Sequence, residues 1–407
     1  MVYEDDRLII QGRFCTEEFI IMKNKTVYLF IALLFLLILA ACSSQSVPNY
    51  KKELNKDSMQ KILQEKPIEK FLERDPSITL SAIGDILIHD RVYEVAETDK
   101  GYDFMPFLEN VAPYLDDTTI TFANQESIIG GEEIGLSNYP AFNSPYEVGD
   151  ALKKVGVDIV SMANNHTLDR GEQAIQNAIT HWDDIDMLYT GSYKDQADRD
   201  DIRVMDTQAG ISVAFLAYTY GTNGITVPSG KEYLVNFIDE ETMETDIALA
   251  KEKADVVILS LHFGIEYEPL PSEEQQDLVQ FAADEEVDIV LGHHPHVLQP
   301  IEWVEGTEGN ETLAVYSLGN FLSGQEGLDR QIGGIFKCTI TKVEEDGEER
   351  IDISALQFMP TYIEYGEWEP TPMFELTDQE LPDAAEHYND VKEHMSQFIP
   401  TLEFIEE

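Results

Sequence analysis

The chain has 407 residues, 43% hydrophobic and 26% charged, which supports a sizeable core in one large or two medium domains. Its 78 Asp and Glu against 27 Lys and Arg leave a formal net charge of -51. That field repels nucleic acid, anionic headgroups and acidic polymers at long range, and attracts cations. The three cysteines, Cys15, Cys42 and Cys338, make no CxxC pair and exclude a disulfide framework.

From Met22 the sequence reads as an address label. Lys23 and Lys25 precede an unbroken apolar run from Val27 to Ala41. The run is shorter than the roughly 20 residues of a spanning helix and suits a signal peptide over 22–41. Leu39-Ala40-Ala41-Cys42 resembles a bacterial lipobox, in which the cysteine is lipidated. The expectation is a lipoprotein held by Cys42 on the outer face of the cell membrane, with 42–76 as a polar tether containing a helix near Asp57–Glu73. Residues 1–21 are acidic and lie ahead of a complete signal, so translation is expected to start at Met22.

Beyond Ile78 short apolar runs alternate with helical spacing. The runs are ITLSAIGD, TITFANQE, VDIVSMANN, VAFLAYTYG, DVVILSLHFG, VDIVLGHHP and LAVYSLGNF. SPYEVGDALKKVG, GEQAIQNAITHW and SEEQQDLVQFAADEE carry helical periodicity. Continuously apolar strands are buried on both faces, which predicts an α/β protein with covered sheets over 77–365. From about Gly333 the chain reads as β-rich, with Cys338 packed in a strand, and 366–407 as an acidic, partly helical tail. No internal repeat, GxxxxGK[ST] loop or GxSxG elbow is present.

Polar side chains gather where the apolar runs end. Asp85 closes the first, with His89 four residues on; Asn124 and Glu126 close the second. Asn164, Asn165, His166 and Asp169 follow the third. His262 and Glu266 follow DVVILSL, and His293, His294 and His296 follow VDIVLG. Singly, each has a plain explanation: Asp85 as a turn cap, the asparagines as turn residues, a histidine as a hydrogen-bonded core residue. Together they place Asp, Glu, Asn and His at five strand ends, where open α/β sheets build sites. Oxygen and nitrogen donors without thiolate favour Mn, Fe or Zn, and a carboxylate between two ligand groups suits a two-cation site. His181, His387 and His394 lie in helical segments without this context and read as surface or structural residues.

GD-ILIHD, NQES, MANNHTLDRG, LHFGIEYEPLPSEEQQ, VDIVLGHHPHVLQPIE and VYSLGNF, in this order, resemble the CapA family of poly-γ-glutamate capsule biosynthesis proteins. That family is similar in fold to calcineurin-like metallophosphoesterases. The resemblance covers about Ile78 to Gln325 and implies a four-layer α/β/β/α sandwich with two divalent metal ions at the strand ends. It implies Asp85, Glu126, Asn165, His262, His294 and His296 as metal ligands and His166 as the acid that protonates the leaving oxygen. His89, Asn124, Asn164, Asp169, Glu266 and His293 are left as supporting residues. Glu126 stands where the superfamily has a bridging Asp, and His89 follows Asp85 by four residues where the superfamily has a gap of two. The implied function is capsule synthesis or export at the membrane, with phosphoester hydrolysis, beside polymer synthase subunits and the polymer. The alternative is a non-catalytic scaffold of the same machinery.

Overall fold

A computed structural model describes residues 75–406 except Asp346, so residues 1–21, the signal, Cys42 and all of the tether but its last two residues lie outside the described residues. In chain order the strands are β1 (Ser77–Leu87), a small ribbon of β2 (Glu97–Thr98) and β3 (Gly101–Tyr102), β4 (Ile120–Gln125), β5 (Ile159–Ser161), β6 (Leu188–Thr190) and β7 (Arg203–Asp206). Then come β8 (Ser212–Thr219), β9 (Val256–His262), β10 (Ile289–His293), β11 (Leu298–Glu305), β12 (Glu311–Leu318) and β13 (Asn320–Ser323). The last four are β14 (Ile332–Glu345), β15 (Glu348–Ile363), β16 (Pro370–Pro372) and β17 (Glu403–Phe404).

Two sheets pack face to face. One runs β16-β15-β14-β1-β4-β5-β6, with β13 paired to β1 and β17 to β15; the other runs β11-β12-β10-β9-β8-β7. The strands at their centres, β1-β4-β5-β6 and β12-β10-β9-β8, are parallel, so their carboxyl ends share an edge. Alternation decides which side chain faces where. In β9 Val256 and Ile258 enter the layer between the sheets, and Val257, Leu259 and Leu261 face helices Glu240–Lys253 and Glu273–Asp284. Helices Glu147–Lys154 and Gly171–Asp184 cover the outer face of the first sheet through Leu152, Ile175, Ile179 and Trp182. The result is the expected α/β/β/α order of layers. Each fully buried Leu or Ile contributes about 1.5–3 kcal/mol.

Three aspartates lock the starts of parallel strands. Thr121 N–H donates to Asp158 (2.9 Å), Ser212 N–H to Asp255 (2.8 Å) and Val257 N–H to Asp288 (2.8 Å). This explains the recurring Asp ahead of an apolar run in VDIV, ADVV and VDIV. Ser272 and Gln275 form a capping box on the helix Glu273–Asp284. Gln275 Nε2 also donates to Gln299 Oε1 (2.8 Å), and Gln299 Nε2 donates to the carbonyls of Glu268 (2.9 Å) and Leu270 (3.1 Å). That network holds the loop carrying Glu266 against the second sheet.

The segment 366–407, expected to be a tail, is a structural part of the sandwich. β16 and β17 pair with β15, and Met373, Leu381, Met395, Ile399 and Leu402 enter the apolar layer between the sheets. Acidic residues on its outer face masked that apolar stripe in the sequence. Cys338 is buried in β14 as expected, and burial pushes its thiol up. Among the described residues no helix is long and apolar enough to cross a membrane.

Candidate metal centre

The cluster sits on the shared edge, at the carboxyl ends of β1, β4, β5, β9 and β10. Gly84 lets β1 reach it: a Cβ there would lie 2.1 Å from the Gly319 carbonyl oxygen. The next residue, Asp85, donates its N–H to that oxygen (2.9 Å) and turns its carboxylate into the layer between the sheets. Asn124 and Glu126 leave the end of β4, and His262 ends β9 beside His293 of β10. His294 and His296 flank Pro295 with φ of +99° and +59°. Two non-glycine residues in the left-handed region within three positions mark a strained turn that the surrounding structure holds.

The side chains converge. His262 Nε2 lies 3.0 Å from Asn165 Oδ1 and 3.6 Å from Glu126 Oε1. The same Glu126 oxygen lies 3.5 Å from His296 Nε2, and His296 Nδ1 lies 3.0 Å from Asp85 Oδ2. Ligand atoms of Glu126, His294 and His296 all fall within 4.8 Å of one another, so these three could hold a metal ion. Neighbouring donors around one ion with bonds of ~2.1 Å are separated by roughly 3.0–3.4 Å, close to the spacings here. One carboxylate oxygen of Glu126 therefore stands between the imidazoles of His262 and His296.

The donors are buried and short of partners. Asp85, Asn124 and Glu126 have 0% exposure, and Asp85 Oδ2, Asn124 Oδ1, both Glu126 oxygens and His294 Nδ1 lack hydrogen-bond partners. An unpartnered buried carboxylate is costly, and a cation relieves it. Burial pushes Glu126 well above the usual carboxylate range, with Asp85 adding to the rise. Burial acts the same way on Asp85, but His293 and His296 outweigh it and hold that carboxyl well below its ordinary value. Burial drives His262 well below the ordinary imidazole value and His294 down to about 3. His296 goes the other way, to about 9, because Glu126 and Asp85 outweigh its burial.

Around this centre the remaining predicted residues divide by role. His166 Nδ1 and Asp169 Oδ2 are 2.7 Å apart, and Phe142 N–H donates to the same Asp169 oxygen (2.7 Å). That contact fixes the ring and leaves Nε2 for the cavity. Asn164 builds the turn, accepting from His166 N–H (3.0 Å) and donating to Gln125 O (2.9 Å). Asn124 Nδ2 donates to Asp85 Oδ1 (2.8 Å). His89 Nδ1 contacts Leu87 O (3.0 Å) and Gly324 N (3.2 Å), and burial lowers its pKa to about 4. His89 lines the cavity beside the cluster rather than joining the donors. Glu266 is exposed on the cavity rim. His293 is fully buried, 3.5 Å from Asp85 Oδ1 and stacked near Phe122. His181 pairs with Asp150 (2.9 Å) and His394 contacts the Leu298 carbonyl (3.0 Å), both structural contacts.

Sequence reasoning missed Asn320 and Tyr220. His296 Nδ1 donates to Asn320 Oδ1 (3.1 Å), which frees Nε2 to face Glu126. Asn320 sits in the YSLGNF stretch, so a polar residue ending an apolar run was its signal. The Tyr220 ring packs 4.7 Å from that of His294, and no sequence pattern marked it.

Comparison with known proteins adds relatives. The chain is 28% identical over 258 residues to "Capsule biosynthesis protein CapA" of Bacillus anthracis, covering 61% of this chain and 60% of that protein. It is 27% identical over 266 residues to "PGA biosynthesis protein CapA" of Bacillus subtilis, covering 62% and 64%. The matches thus span a little under two thirds of these relatives. The solved calcineurin-like phosphoesterase YfkN from Bacillus subtilis is similar at 14% identity and a TM-score of 0.37, over 69% of this chain and 91% of that one. The family described as "Bacterial capsule synthesis protein PGA_cap" matches residues 79–325, more than half of the chain, and the chain belongs to that family.

Proposed function

We propose that the chain is a divalent-metal-dependent hydrolase of capsule biosynthesis, acting on a phosphoester from the outer face of the cell membrane. The buried, unpartnered carboxylate of Glu126, set between His262 and His296, carries the reading. The donor set fits two cations. Asp85 and His296 would hold the first, Asn165, His262 and His294 the second, and Glu126 both. When bound, such ions supply an acidified water and a clamp for the oxygens of the reacting group. The absence of thiolate favours Mn, Fe or Zn.

The chain's own residues do the rest. Asp169 holds the Nδ1 side of His166, so that Nε2 can deliver a proton to the leaving oxygen. Phe142, edge-on to His166 at 4.7 Å, keeps that imidazole in place. Lipidated Cys42 anchors the domain, and synthase subunits and the polymer are its partners.

Purified protein should retain more than one equivalent of transition metal and cleave bis(4-nitrophenyl) phosphate. Metal-free protein after mild purification, or a His166→Ala variant with undiminished turnover, would sink the hydrolase. Restoration of capsule by a His294→Ala/His296→Ala variant at normal abundance would establish the scaffold reading instead.

A further inference from the structure

The metal cluster opens into a cavity of about 280 Å³ whose lining includes His89, Arg91, His166, Tyr267, His296 and Arg330. Two guanidinium groups on one cavity are notable in a chain with 27 basic and 78 acidic residues. Arg91 is neutralised by an ion pair with Glu326. Arg330 has no carboxylate within ion-pairing distance among the described residues, although Glu266 shares the rim. Its guanidinium instead lies over the Tyr267 ring, 4.9 Å from the centroid. A cation over a ring face can still donate within the guanidinium plane, and one side of this one also approaches the Tyr267 hydroxyl.

The placement of this arginine is built into the fold. Asn320, which orients His296, also donates from Nδ2 to the Arg330 carbonyl (2.9 Å). Tyr267 donates its N–H to the carbonyl of Pro295 (2.8 Å), between His294 and His296. Both the cation and the ring beneath it are therefore keyed to the His-Pro-His turn. A guanidinium with no carboxylate partner among the described residues, on the same cavity as the donor cluster, matches a two-oxygen anion.

We propose that Arg330, braced on Tyr267, binds a second anionic group of the substrate while the reacting group occupies the metal cluster. This rests on the hydrolase reading and narrows it to esters that carry a carboxylate or a further phosphate away from the scissile bond.

The test uses the metal-loaded full chain and a series of alkyl phosphates. Each is compared with its ω-carboxyalkyl phosphate and its α,ω-bisphosphate of equal length. At the matching length the ω-anionic ester should be preferred about tenfold in kcat/KM, chiefly through KM. Arg330→Gln should bring that ratio to about one, Arg330→Lys should restore part of it, and both should keep wild-type metal content. The carboxylate and bisphosphate arms separate the two sources of the anion. No preference at any length, or a preference that survives Arg330→Gln, overturns the subsite. If no ester is cleaved, the hydrolase reading fails by itself. The subsite is then judged by calorimetric binding of ω-carboxyalkyl phosphonates, where equal affinity for wild type and Arg330→Gln overturns it.

Discussion

Asn320→Ala removes the side chain that fixes the ring of His296. Asn320 is fully buried and makes four contacts: its Oδ1 accepts from His296 Nδ1 (3.1 Å), and its Nδ2 reaches His296 O (3.4 Å), Gln325 Oε1 (3.2 Å) and Arg330 O (2.9 Å). Alanine strands the Arg330 carbonyl and leaves His296 Nδ1 with Asp85 Oδ2 (3.0 Å) as its remaining partner. At ~1–3 kcal/mol for an orphaned buried group, unfolding should become easier by about 1–3 kcal/mol. With one of the two partners of its Nδ1 gone, His296 should bind metal about 10-fold more weakly. Urea unfolding of the metal-free protein reads the first effect, and calorimetric titration with Mn²⁺ well below the melting temperature reads the second. Asn320→Asp separates them, because it keeps the acceptor for His296 Nδ1 and loses the donor to Arg330. It should regain metal affinity but not stability. An alanine variant that binds Mn²⁺ within threefold of wild type would refute the assignment of His296 Nε2 as the ligand atom.

Chelation should lower the melting temperature: a metal at 100 times its dissociation constant adds ~2.7 kcal/mol to folding, and an unchanged melt in EDTA would count against a bound cation. His166→Ala should cut kcat about 10²–10⁴-fold at constant metal content, and Asp169→Asn should cut it in the same direction. Burial pushes the Asp288 carboxyl up to about 6 against the pull of the Val257 N–H. Ionising it in the folded chain is therefore a cost, absent well below pH 4 and complete above about pH 6. Asp288→Asn should stabilise by about 1–2 kcal/mol at pH 7.5, since the side chain is only half-buried by its neighbours, and the gain should roughly halve by pH 5 in urea melts. A gain independent of pH would exclude the carboxyl as its source.

The parallel strands and the five polar clusters were legible because both follow from local pattern. Strands covered on both faces read as apolar runs, and site residues stand directly after them. Less local features escaped. The helix Glu240–Lys253 buries only a thin stripe of Met243, Ile247 and Ala250, with Asp246 buried among them, so its periodicity is faint. Asp246 is held there by Arg199 and by the Tyr218 hydroxyl (2.5 Å), partners that sequence spacing does not reveal. The C-terminal segment hid its core contacts behind acidic neighbours. Asn320 was missed because its importance lies in a contact 24 residues away in the chain.

The crowding of histidine at one sheet edge has an electrostatic reason. An imidazole must be neutral to bind a metal, and protons compete for its lone pair. Burial at the ends of β9 and β10 depresses His262 and His294, so each presents a neutral nitrogen across the physiological range. Lysine or arginine in these places would bring a buried charge, and a further carboxylate would add to the burden already on Glu126. Histidine alone supplies a strong donor that costs little to bury when empty. His296 departs from this rule because it is the imidazole closest to both Asp85 and Glu126, where a positive charge is needed whether a proton or a metal provides it. Asp85 and Glu126, buried side by side with unpartnered oxygens, thus form a place in the fold that favours a cation, inside a chain whose surface charge already draws cations toward it.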